Sequence, residues 1–184
     1  GESDHSLDGQ RYTYRSSVNT AATTTAATGP TQDLTLTIEL RYMLETSGFI
    51  ERLLMGHSEF QEQLAAVDPG TDPIITDVRY QSGVGHSGRF QVEDQTVLSA
   101  CINPRGESTF YIDQFLNNQS IYDHDPTRLF SILFGREAWS DQRCLWTHMT
   151  LEPSTPITEQ ESEALLDDVW AEWYATWQPQ FPKR

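Results

Sequence analysis

Between Leu34 and Leu44 the large apolar residues fall on every second position, Leu34, Leu36, Ile38, Leu40, Tyr42 and Leu44, while Thr35, Thr37, Glu39 and Arg41 stand between them. A period of two is that of a pleated strand with one face on a core; a helix does not gather such a pattern into one stripe. The chain is therefore expected to be organised around a β-sheet. Arg11-Tyr12-Thr13-Tyr14-Arg15 alternates in the same way. The intervening residues 17–32 are mostly Ala and Thr, with no aromatic and almost no large apolar side chain to offset the entropy of ordering them. They read as a mobile loop at the tip of an enlarged antiparallel hairpin.

Beyond Ser47-Gly48 the period changes. Ile50, Leu53, Leu54, Phe60 and Leu64 recur at helical spacing, with Gly56 weakening the middle and Asp68-Pro69-Gly70 ending the run. Strands are expected around Ile74 to Tyr80, at Arg89 to Glu93, at Gln95 to Ile102 and, after the Asn103-Pro104-Arg105-Gly106 turn, at Ser108 to Ile112, in the manner of a meander. Asp125-Pro126 starts a short helix that Gly135 ends. Arg143 to Leu151 returns to strand. Thr158-Glu159-Gln160-Glu161 is a capping box, and the helix it opens carries Leu165, Leu166, Val169, Trp170, Trp173, Tyr174 and Trp177 on a wide aromatic face, with Glu161, Glu163, Asp167, Asp168 and Glu172 outward. That face needs a sheet beneath it. The expected fold class is α+β: a single antiparallel β-sheet with helices packed mainly on one face, the aromatic-rich C-terminal helix among them. Residues 10–178 form one domain, 1–9 a disordered tail and 179–184 a second tail.

The charge balance excludes some partners. Twenty-seven acidic residues against twelve basic ones give a formal charge of -15, so a nucleic acid meets net repulsion. No stretch approaches the ~20 consecutive apolar residues of a membrane-spanning helix. Gly83-Val84-Gly85-His86-Ser87-Gly88 spells GxGxxG, but it leads into Arg89-Phe90-Gln91-Val92, a strand, where a dinucleotide site needs a helix N-terminus. It is read as a turn. Asp123-His124-Asp125 has three metal-capable side chains in a row, yet consecutive residues do not converge on one ion, so it is read as a solvated turn. The acid pairs of the last helix, outward-facing, are expected to keep ordinary acidity. No cofactor or metal is called for.

Two cysteines, Cys101 and Cys144, stand on expected strands and lack zinc-type spacing. If those strands are neighbours, facing positions bring the Cβ atoms to about 4.5–5.5 Å, which local twist can close into a disulfide, and a disulfide implies an oxidising compartment. The competing reading is a catalytic thiol with His148 as base. On a strand, however, His148 lies roughly 13 Å from Cys144 along the axis, and no nucleophile motif surrounds either cysteine. A structural pair is the favoured reading. Arg105, held in a Pro/Gly turn, offers five donors to a carboxylate, and Arg143 offers a second fork; the favoured reading of Arg105 by itself is that it ties down its own chain, through backbone carbonyls or Glu107. Arg143, Trp146 and His148 complete the candidate partner-binding set. An apolar pocket between the terminal helix and the sheet, lined by Trp146 and Trp173, would make the chain a small-ligand carrier.

Several segments together resemble the cyanoexosortase A system-associated proteins of cyanobacteria: Leu36 to Tyr42 followed by Thr-Ser-Gly, Leu98 to Thr109 with Gln114-Phe115 after it, Arg143 to His148, and the terminal helix ending at Trp173 to Trp177. The resemblance is discontinuous over residues 36–177. It implies a non-enzymatic accessory protein, membrane-anchored at its N-terminus, with its domain on the periplasmic side of the plasma membrane. Its implied partner is an exosortase-type membrane transpeptidase or that enzyme's PEP-CTERM cargo. The polar start of this chain fits a missing anchor, and a Cys101–Cys144 bridge fits the compartment. The family carries no catalytic residues onto this sequence. The alternatives are a cysteine-dependent hydrolase or transferase, and the ligand carrier.

Overall fold

The alternating segments at Arg11 to Arg15 and Leu34 to Leu44 pair with each other, as their period requires. The computed structural model describes residues 6–19, 31–44, 46, 50, 77–92, 95–122, 130, 132–134, 141–153 and 157–182. Strand β1 (Ser6–Asn19) and β2 (Thr31–Met43) are antiparallel with Tyr12 opposite Ile38 and Tyr14 opposite Leu36. Both run further than their apolar alternation. β1 begins inside the polar start and reaches Asn19, and β2 begins at Thr31, because the backbone register continues to the Asn19–Thr31 pair. The remainder of the expected loop lies outside the described residues.

Next in the chain come β3 (Asp77–Gln81), β4 (Gly85–Val92) and β5 (Gln95–Ile102), a true antiparallel meander, and then β6 (Cys144–Pro153). The spatial order is β1-β2-β6-β5-β4-β3, six strands in one sheet, every neighbour antiparallel. β6 is thus inserted between β2 and β5, with Leu40 opposite Thr147 on one side and Ala100 opposite Thr147 on the other. Ser108 to Ile112 is not the expected strand. Ser108 and Thr109 make isolated bridges to Gly85 and Cys101, and the chain then enters helix α1 (Ile112–Tyr122). Gln114 Oε1 accepts the backbone N–H groups of Phe110 and Tyr111, closing the entry into α1 and ending further strand pairing.

The last helix, α2 (Glu159–Trp177), starts at the expected capping box: Thr158 Oγ1 accepts from Glu161 N–H while the Glu161 carboxylate accepts from Thr158 N–H. A short 3-10 turn (Gln178–Gln180) follows it. Leu166, Trp170 and Tyr174 pack down onto Leu34, Ile38, Leu40, Leu98, Ala100, Met149 and Leu151, all from one face of the sheet. The α+β class, its single antiparallel sheet and the aromatic terminal helix are as the sequence leads one to expect. A second cluster gathers Met43, Phe90, Val97, Trp146 and the two cysteines with Phe110 and Phe115; these strand residues alternate with those under α2 and so occupy the opposite face. Among the described residues no helix is long and apolar enough to cross a membrane. The expected helices after Ser47 and after Asp125, with the Asp123-His124-Asp125 turn, lie almost wholly outside the described residues.

The GxGxxG segment enters β4, as its reading as a turn requires. Gly83 and Gly85 have φ of 79° and 112°, in the left-handed region. A Cβ on Gly85 would overlap the backbone of Ser108, whereas one on Gly83 meets open space. Gly85→Ala therefore costs strain and displacement together, several kcal/mol, while Gly83→Ala costs strain alone, about 1–2 kcal/mol. Urea denaturation of the two variants should rank them in that order.

Candidate functional site

The start of β6 gathers most of the residues singled out from the sequence. Cys101 and Cys144 are joined, with sulfurs 2.01 Å and Cα atoms 5.6 Å apart, and both are fully buried. They are not directly opposite. Cys101 faces Trp146, which places Cys144 diagonally, two residues along β6. Diagonal neighbours ordinarily lie about 7–8 Å apart, and the 5.6 Å between these Cα atoms is within disulfide reach. No thiol remains free, and on that face Trp146 occupies the position between Cys144 and His148.

His148 lies instead in a buried polar row. Glu39, His148 and Ser99 are opposite one another on β2, β6 and β5. Ser99 Oγ accepts from Trp146 Nε1 at 2.8 Å and donates to the Thr147 carbonyl, and the Arg41 guanidinium, paired with Glu39, lies 5.3 Å over the Trp146 ring. Trp146 is fully buried and His148 2% exposed. This corrects the partner-binding reading of both: their side chains belong to the interior and offer no surface to a partner. Trp146 also faces away from α2, so it cannot line a pocket beneath that helix.

The arginines separate. Arg143 is buried and fully engaged: Nε and Nη2 donate to the two oxygens of Asp141 at 2.7 and 2.6 Å, and Nη1 donates to Tyr42 Oη and to the Pro182 carbonyl. Its reading as a second fork for a partner is corrected in the same way, since a bidentate internal carboxylate occupies it. Burial by itself raises the pKa of Asp141, but the hydrogen bonds and charge of Arg143 outweigh it, helped by the charge of Arg105, and hold the carboxyl below its ordinary value. The same pairing holds the Arg143 guanidinium protonated well above its usual range against the opposing effect of burial.

Arg105 stays at the surface, its side chain 30% exposed and its guanidinium 3.9 Å from Asp141. The turn that carries it is rigidly held. Buried Asn103 donates to the Glu107 carbonyl at 2.7 Å, Asn118 of α1 donates to the Arg105 carbonyl, and Tyr174 of α2 donates to the Gly106 carbonyl, both at 2.8 Å. Gly106 has a φ of 70°, and a side chain there would collide with Asn118 and Tyr122. Burial pushes the Tyr174 phenol up to about 12. α1 flanks this turn with Leu116, Ile121 and Tyr122 exposed.

One feature was not read from the sequence, and a second was read with a different lining. Glu163 and Asp167 are not idle outward acids: Glu163 accepts from Arg79 Nη2 at 2.6 Å and Asp167 pairs with buried Arg89, fastening α2 to β3 and β4. Burial, with the charge of Arg79, lowers the Arg89 pKa, and neighbouring carboxylates oppose that shift. The Thr158 N–H and hydroxyl hold the Glu161 carboxyl below its ordinary value, against the expectation of ordinary acidity. A sequence signal exists for the local ion pairs, not for those of Glu163 and Asp167. Glu39–Arg41, Asp77–Arg79 and Asp141–Arg143 all pair at a spacing of two, the spacing that puts both side chains on one face of extended chain. The second feature is an apolar cleft of about 280 Å³ between the end of α2 and the sheet, lined by Leu40, Tyr42, Leu145, Trp177 and Phe181 and without Trp146 or Trp173.

Opening the disulfide, by reduction or by Cys101→Ser with Cys144→Ser, should lower stability by about 4 kcal/mol on the chain-entropy estimate for a separation of 43 residues. Titration of the unfolded, non-reduced chain should find no free thiol. Asp141→Asn leaves Arg143 charged and unpaired in the interior and should cost about 3–5 kcal/mol at neutral pH. Because the folded Asp141 pKa is depressed, its stabilisation is fully present above the ordinary carboxylate value of 3.8 and is lost as pH falls through the lower folded value. Denaturation midpoints of wild type and variant should accordingly converge in acid.

Among the described residues no group of three or more His, Cys, Asp or Glu is arranged to hold a metal ion. The chain matches no protein-family model, no curated protein and no solved structure.

Proposed function

We propose that this chain is a non-enzymatic binding module that acts outside the reducing cytoplasm as an accessory of an exosortase system, anchored to the membrane through a segment preceding it. The observation that carries the reading is the Cys101–Cys144 disulfide. It removes the nucleophile on which a cysteine-dependent hydrolase or transferase would rely, and a buried structural disulfide belongs to oxidising compartments. The resemblance to the cyanoexosortase A system-associated proteins supplies the partner, the membrane transpeptidase or its PEP-CTERM cargo.

The contact surface of this reading is the Arg105 turn with Tyr122 of α1 against it, and α1 carries Leu116 and Ile121 exposed on its other flanks. An aromatic side chain beside an arginine suits a protein interface. With Arg143 withdrawn into its pair with Asp141, a multiply acidic sorting tail would find one arginine where two were expected. The surface therefore favours the transpeptidase over the tail.

The test is co-purification of the anchor-restored protein with the exosortase and, separately, with a PEP-CTERM substrate. Retention of the enzyme, reduced roughly tenfold by Arg105→Glu and left unchanged by Glu172→Gln on α2, is the expected result. Retention of neither partner by the wild-type protein would sink the proposal.

A further inference from the structure

The cleft under the end of α2 differs in chemistry from the Arg105 surface. Its walls are Leu40 and Tyr42 of β2, Leu145 of β6, Trp177, and Phe181 with Pro182. No charged side chain lines it. The one amide in the lining, Gln180, donates its Nε2 to the Thr176 carbonyl at 2.9 Å, and Tyr42 Oη already accepts from Arg143. What the cleft presents is hydrocarbon and ring surface.

The cleft is built to stay open. Arg143, fixed by Asp141, holds the Pro182 carbonyl at 2.6 Å and lies 5.3 Å over the Phe181 ring, while Tyr42 and Phe181 pack with centroids 5.6 Å apart. The wall formed by the end of the chain is thus tied to β6 by a charged group and does not fall into the space beside it. An apolar cavity lined in this way gains free energy when apolar surface enters it.

We propose that this cleft is a binding site for a small, uncharged aromatic molecule. Three of its walls are aromatic rings, which favour a planar guest in offset or edge contact. At about 280 Å³ it lies just below the usual range of ligand pockets, which runs from about 300 Å³ upward, so one fused ring system fits and a whole lipid does not. The formal charge of -15 works against anionic guests, and the lining offers a cation no counter-charge. This site goes beyond the accessory role and stands or falls separately from it.

Naphthalene titrated into the unaltered chain, followed by methyl NMR, tests the assignment. Saturable shifts of the Leu40 and Leu145 methyl groups, with Leu116 and Ile121 unmoved, are expected. Leu145→Trp, which fills the cleft, should weaken binding at least tenfold, and Glu172→Gln on the exposed side of α2 should leave it unchanged. Absence of saturable shifts at Leu40 and Leu145, shifts at Leu116 and Ile121 in their place, or undiminished binding by a folded Leu145→Trp variant would each overturn the proposal. Should Leu145→Trp fail to fold, the wild-type shifts decide the matter alone.

Discussion

The covalent and ionic fastening at the start of β6 is the constraint on which the remaining structure depends. β6 lies between β2 and β5, so its position decides whether the two hairpin systems form one sheet or two. At its first residue, Cys144 is bound to Cys101 of β5, and one residue earlier Arg143 grips Asp141, Tyr42 of β2 and the Pro182 carbonyl. A bond within the second cluster and a charge network at the edge of the first therefore hold the same point. Neither cluster can shift along β6 without breaking one of them.

This fastening also explains why residues that look suited to recognition are withheld from it. A guanidinium taken out of water needs a partner of opposite charge, and once Asp141 meets it with both oxygens it has no strong site left for a visitor. Trp146 and His148 are buried because β6 is central and both of its faces are covered. Arg105 escapes because it lies on a turn. The carbonyls of Arg105 itself and of Gly106 are anchored by Asn118 and Tyr174, which fix the backbone and leave the side chain at the surface. α1 and α2 thus meet at the one arginine of the candidate set that stays part-exposed at the surface, and motion of either helix would be felt there.

Period and turn chemistry were legible. The alternation of Leu34 to Tyr42, the capping box at Thr158, the glycine turn before β4 and the strand Gln95 to Ile102 are all local statements, and each holds in the structure. The segment after Gly106 misled because Ser108 to Ile112 has the composition of a strand, while the Gln114 side chain, which takes up the N–H groups of Phe110 and Tyr111, turns it into a helix entry. Glu163 and Asp167 misled for a related reason. On a helical wheel they point away from the aromatic stripe, yet β3 and β4 lie beneath that flank and bring Arg79 and Arg89 to them.

By itself, the sequence determined the α+β class, the half-buried hairpin and most of the described strands with the terminal helix, but not α1, because hydrophobic period, caps and turns act over a few residues. Which strands become neighbours, and by what register, was decided by tertiary structure alone. That choice set Cys144 diagonal to Cys101, buried Arg143 on Asp141, aligned Glu39, His148 and Ser99, and left a cleft under Trp177 and Phe181. Such pairings join residues far apart in the chain, and their energies depend on burial and distance, quantities that no local pattern of residues contains.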